Sequence, residues 1–279
     1  MSGIFLMKTK MNRTTKIILF TYLAFGTYCV LDELYFKDLR NYLNQIIKNG
    51  GVSHILTYLI SGIPIYLGAI LIHSYKKIAD SLGFLGSIFK GIYIPLLFTL
   101  PMLIGFAILF DFNDNLSLDD VLIKVIAAAF FEELFFRGFL FGQLFRYTKA
   151  GFIPSVLFGA LFFGFIHLYQ SQELLEAFGI FAITFLGGIL FAWVFAEWNF
   201  NIWIPIFLHL FMNLAALMFS ATENALGGIY FNVFRSITVV LAIMFTILYK
   251  RRNGLALVVN KNTLWMNRLL SNDFRNRNQ

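Results

Sequence analysis

The sequence predicts an all-α fold, a polytopic membrane bundle of about eight transmembrane helices. Only 13% of the residues are charged and 59% are hydrophobic, whereas a soluble domain carries about 25% charged residues. The mean hydropathy is +0.74. The apolar residues fall in runs of about 20, the length that crosses a hydrocarbon core as a helix. A membrane β-barrel would show short alternating segments instead.

The first span is expected at 17–34, behind Lys8, Lys10, Arg13 and Lys16. No small-residue cleavage site follows it, so it reads as a retained span. Cys29 within it is the only cysteine, which excludes an internal disulfide and a cysteine-rich metal site. The second span, 52–74, has His54 and His73 near its ends, both read as structural, and the third is 91–110. The fourth, 121–145, carries Glu132, Glu133 and Arg137, and the fifth, 153–173, carries His167. The fifth helix is expected to run on to about Glu176, which would bring His167 to the depth of Glu132. The sixth is 177–197 and the seventh 202–220, opened by Asn199, Asn201, Trp203 and Pro205, ordinary punctuation at a membrane interface. The eighth is 229–249. These spans divide the chain into an N-terminal set (1–120), a core (121–220), and a last span with a basic tail (221–279).

Charge sets the orientation, because Lys and Arg collect on the cytoplasmic side. The N-terminus is basic, as are the loops with Lys76, Lys77, Lys90, Arg146 and Lys149 and the tail with Lys250, Arg251, Arg252, Lys261, Arg268, Arg275 and Arg277. The alternate loops hold Asp111, Asp114, Asp119 and Asp120, then Glu173 and Glu176, then Glu223, and only the stretch 35–51 is mixed. Both termini are therefore expected in the cytoplasm, in a cell membrane, and the Phe, Ile, Lys and Asn bias suggests a bacterial inner membrane. The net charge of +7 follows from this topology and needs no nucleic acid. Leu264, Trp265, Leu269 and Leu270 alternate with polar residues, which predicts a short surface helix in the tail. No internal repeat is visible, which argues against a transporter of duplicated halves.

The chemistry is expected where ionisable residues interrupt apolar helices. A charge near the centre of a span costs roughly 2.5–3.5 kcal/mol, so Glu132, Glu133 and Arg137 need partners and a purpose. Glu133 and Arg137, four apart, share a helix face and can pair. Glu132, rotated about 100° away, is left free for proton transfer. His167 can bind a metal or orient water. His209 and Asn213, again four apart, add a second imidazole and an amide donor suited to an oxyanion. A carboxylate, two histidines and an amide on three helices can form a water-activating hydrolytic site. The bland alternatives are a structural ion pair, an interhelical hydrogen bond from His209 and Asn213, and plain core packing for Phe163, since Phe supplies 35 of the 279 residues.

In this order the residues resemble the CPBP family of intramembrane proteases, also called the CAAX prenyl protease 2 or Abi family. Its three motifs stand as Glu132-Glu133-Leu-Phe-Phe-Arg137, Phe163-Gly-Phe-Ile-His167 and His209-Leu-Phe-Met-Asn213, within about a third of the chain. Gly138 and Leu168 are also similar to the family. The resemblance implies an endopeptidase acting on membrane-associated peptides or proteins, prenylated CaaX-type substrates among them. Glu132 would be the general base, His167 would hold the attacking water, His209 and Asn213 would stabilise the oxyanion, and Glu133 and Arg137 would support the site. Glu132, His167 and His209 could supply three zinc ligands, and a metal-free site needs the same residues. Two rival classes are a non-catalytic membrane immunity or peptide-binding protein on the same fold, and a proton-coupled transporter.

Overall fold

The computed structural model describes residues 11–267, and among these every element is helical apart from one isolated bridge, Ala150 to Met266. Lys8, Lys10, Arg268, Leu269, Leu270, Arg275 and Arg277 lie outside the described residues. Helix α1 spans Arg13–Ile47, opened by Asn12, whose side chain accepts from the Thr15 N–H at 2.8 Å. It runs well past the expected end at 34, because charged residues do not break a helix and no Gly or Pro intervenes before Gly50. The stretch 35–51 is thus mostly helix, not a loop. Lys48, left-handed at φ 56°, ends it, and Asn49 caps the next helix through the Val52 N–H.

Helix α2 is Gly50–His73, interrupted at Gly62 ahead of Pro64. After two short turns, Ser87 caps α3, Ile88–Leu109. Helix α4 is a continuous helical stretch over 118–147 that alternates α and π turns: Val121–Ala127 and Glu133–Phe141 are π-helical. Ser117 caps its start, and Asp119 accepts from the Gly51 N–H at 3.0 Å, which holds the starts of α2 and α4 at one level. Gly138 lets α4 pass the backbone at Leu82, whose carbonyl a Cβ would meet at 3.0 Å.

Helix α5 is Phe152–Ile166, followed by a 3-10 turn at Leu168–Gln170, so it stops ten residues short of the expected Glu176. The acidic residues belong to the next helix instead. Glu173 is the N-cap and Glu176 lies in the first turn of α6, Leu174–Glu197, where negative charge favours a helix start. Helix α7 is Trp203–Met218 and α8 is Ile229–Arg252. Just before α7, Asn201 accepts from the Trp203 N–H at 3.1 Å, and its amide donates to the Ser87 carbonyl at 2.9 Å, which agrees with a structural reading of that stretch.

Among the described residues, six helices are long and apolar enough to cross a membrane: α1, α2, α3, α5 with its 3-10 turn, α6 and α8. Helix α7 has 16 residues and α4 is broken by its π turns, so length and composition alone do not give eight spans. Large apolar side chains such as Leu23, Val30, Leu67, Ile104 and Ile108 point outward, as they do in a bundle that faces lipid. Helices α5 and α6 approach on small residues, with Gly188 so near Ala160 that a Cβ would stand 3.1 Å away. The described part of the tail is irregular, not a surface helix: Trp265 and Leu264 lend carbonyls to the N–H groups of Gly151 and Ile153.

Candidate active site

One carboxylate oxygen on α4 gathers groups from two helices. Arg137 Nη1 donates to Glu133 Oε1 at 3.0 Å, and both side chains are almost wholly buried. The ring of His209, on α7, places Nδ1 2.9 Å from the same oxygen. The first and third motifs thus meet directly. The π turns assist: their i→i+5 hydrogen bonds, such as Gly142 N–H to the Arg137 carbonyl, widen the helix where its polar side chains face inward.

Asn213 lies one turn beyond His209 and donates from Nδ2 to the Lys124 carbonyl at 2.9 Å, in the first π segment. One amide N–H remains for another acceptor. His167 follows Ile166 as the residue that closes α5, and its Nδ1 donates to the Phe163 carbonyl at 2.6 Å. A carbonyl can only accept, so Nδ1 carries the proton and Nε2 is left as an acceptor for water.

Phe163 is core, as expected, and it has a second role. The Arg137 guanidinium lies 4.6 Å from the centre of its ring, and the His167 ring lies 4.4 Å away on the same residue. The second motif therefore joins the first through a cation–π contact. Phe191 on α6 makes the matching link, 5.4 Å from Arg137 and 5.5 Å from the His209 ring. Nothing in the sequence marks Phe191 among so many phenylalanines.

Glu132 is half-buried and has no hydrogen bond or ion pair among the described residues. It lies within electrostatic reach of His209, and also of Tyr28 and Tyr58 on the first two helices, which sequence reading left out of the site. Glu132 and His167 are not bonded to each other. Among the described residues no group of three His, Cys, Asp or Glu side chains stands within metal-holding reach.

Residues 114–215, which contain all three motifs, match the family model described as type II CAAX prenyl endopeptidase Rce1-like. The resemblance to the CPBP family is borne out. The CPBP-type segment also matches the "Putative membrane peptidase YdiL" of Bacillus subtilis (strain 168), 32% identical over 96 residues. That stretch is 33% of this chain and 34% of the relative, so the chain spans about a third of the length of the curated relative it matches. No solved structure matches the chain.

Proposed function

We propose that this chain is an intramembrane endopeptidase that hydrolyses peptide bonds of membrane-associated peptides with water activated by Glu132. The observation that carries the reading is the double use of Glu133 Oε1 by Arg137 and His209. It neutralises one motif carboxylate and leaves the other, Glu132, without a protein partner among the described residues. A carboxylate held in a low-dielectric bundle and free of partners is suited to take a proton from water.

In this reading the water rests between Glu132 and Nε2 of His167. Its oxygen attacks the scissile carbonyl carbon while its proton passes to Glu132. The developing oxyanion accepts from the spare N–H of Asn213 and from Nε2–H of a doubly protonated His209, whose Nδ1–H points at Glu133. As the C–N bond breaks, Glu132 gives the proton to the leaving nitrogen, so the products are a carboxylate and an amine. Arg137, stacked on Phe163 and Phe191, keeps Glu133 and His209 in register.

The Rce1-like description suggests prenylated CaaX peptides as one substrate class, and apolar unprenylated peptides are the other to be compared. Full-length protein in lipid nanodiscs should cleave at least one member of a quenched peptide library spanning both classes. Glu132→Gln, with its unfolding temperature retained, should lower kcat by about 10²–10⁴-fold. Wild-type cleavage that survives this substitution would sink the assignment.

A further inference from the structure

A second carboxylate lies inside the bundle on α1. Asp32 sits fifteen residues before Ile47, roughly 22 Å of helix below the end of α1. Two contacts fix its level. Phe36 packs its ring on His54 and Tyr58, at 5.2 and 4.9 Å between centres, and Ala24 faces Gly68 closely enough to meet a Cβ there at 2.5 Å. Asp32 lies between these points, opposite the part of α2 that follows Tyr58. The Tyr58 ring in turn stacks on Phe131 at 4.9 Å, one residue before Glu132. Asp32 and Glu132 therefore approach Tyr58 at about the same depth from two sides.

The Tyr28 side chain is within hydrogen-bond reach of the Asp32 carboxylate, whose Oδ1 is buried without a partner of its own, as is Nδ1 of the nearby His54. Neither Asp32 nor Glu132 has a basic partner among the described residues, whereas Glu133, Glu197, Asp80 and Asp120 are each paired with one. Charges placed in such a medium carry a large desolvation penalty until a counter-charge arrives. Tyr28 and Tyr58 lie close to Asp32 and Phe36 follows it by one helical turn, and aromatic rings attract a cation. Both Asp32 and Tyr58 are only half-buried, so a ligand can reach them.

We propose that Asp32, walled by Tyr28, Phe36 and Tyr58, is a substrate subsite that takes a cationic group of the peptide: a lysine or arginine side chain or a free amino terminus. The proposal rests on the peptidase reading for its ligand, not for its chemistry. An ammonium placed there supplies the counter-charge that Asp32 lacks among the described residues and lies beside Glu132, so a basic residue near the scissile bond directs the peptide into the site.

The test uses full-length protein in nanodiscs, in the Glu132→Gln form so that binding is read without cleavage. Two fluorescent apolar peptides that differ by one Lys→Leu change are titrated. The lysine peptide should bind at least about tenfold more tightly. Asp32→Asn should abolish the preference and Asp32→Glu should retain it. Glu33→Gln, on the exposed neighbour, should leave it unchanged. Equal binding of the two peptides, or a preference that survives Asp32→Asn in a folded protein, overturns the proposal. If the preference follows Asp32 while the wild type cleaves nothing, the subsite stands and the peptidase reading fails. Glu132-dependent cleavage with no lysine preference gives the reverse.

Discussion

Glu133 Oε1 accepts from both Arg137 and His209, in a setting where water cannot replace a lost partner. Removing one member of a buried pair leaves the other charge uncompensated. Glu133→Gln should therefore destabilise the protein by about 3–5 kcal/mol, and adding Arg137→Met should restore most of that. Thermal unfolding in detergent checks both, and a single variant as stable as the parent would refute the pairing. Arg137→Lys separates charge from shape. It keeps the cation but loses the planar group stacked over Phe163 and Phe191, which ammonium cannot reproduce. Peptide cleavage should fall at least about tenfold through misplacement of His209 and His167, with a smaller loss of unfolding temperature than for Glu133→Gln. The ion pair was legible in the sequence because helix geometry fixes what lies four residues away. Phe191 and Asp32 were not. One is hidden among 35 phenylalanines, and the other lies two residues from the expected span end at 34, where a charge carries no signal.

The elements show where periodicity stops being informative. The three motifs fall on α4, α5 and α7 as expected, since apolar runs report helices well. Where helices end depends on caps and tertiary partners that composition does not contain. Helix α5 ends at Ile166 because Glu173 and Ser171 build the start of α6 instead: Ser171 accepts from the Glu173 N–H at 3.1 Å and donates to Glu176 at 2.5 Å. The π turns of α4 have no periodic signature either. The start of α5 depends on the tail. Phe152 and Ile153 donate to the carbonyls of Thr263 and Leu264 at 2.8 and 2.9 Å, which satisfies N–H groups that every helix start leaves open. The contact needs Gly151, where a Cβ would stand 2.3 Å from the Trp265 carbonyl carbon. Gly151→Ala should push the tail off the bundle and make residues 255–267 sensitive to limited proteolysis. An unchanged digestion pattern would show that the tail is held elsewhere, by the buried Lys250–Glu197 pair at 2.5 Å and the Val258 and Val259 N–H groups that Glu197 also accepts.

At the scale of the whole molecule, charge and helix length bear on one question, which side each end faces. Arg146 meets Asp80, Asn267 meets Phe145 and Lys250 meets Glu197, so the ends rich in Lys and Arg gather together. The opposite end gathers Gly51 with Asp119 and Asn113 with Leu217. The mixed stretch 35–51, which clouded the charge pattern, belongs to α1. At 35 residues, that helix is roughly 52 Å long against a hydrocarbon core of about 30 Å, so Lys37, Asp38 and Arg40 can lie beyond the core. Their basic charge on the acidic side is offset by Asp38 and outweighed by the basic clusters opposite. By the positive-inside rule the Lys76 and Asn253 end is expected in the cytoplasm. In a Cys29→Ser background, Lys76→Cys and Asn253→Cys should react with a membrane-impermeant maleimide only after cells are opened. Asn115→Cys, exposed between α3 and α4, should react in intact cells. Labelling of all three from the same side would mean that the chain does not cross the membrane between them, and would remove the depth argument for both Glu132 and Asp32. Labelling in the reverse sense would keep that depth and turn the candidate site to face the other compartment.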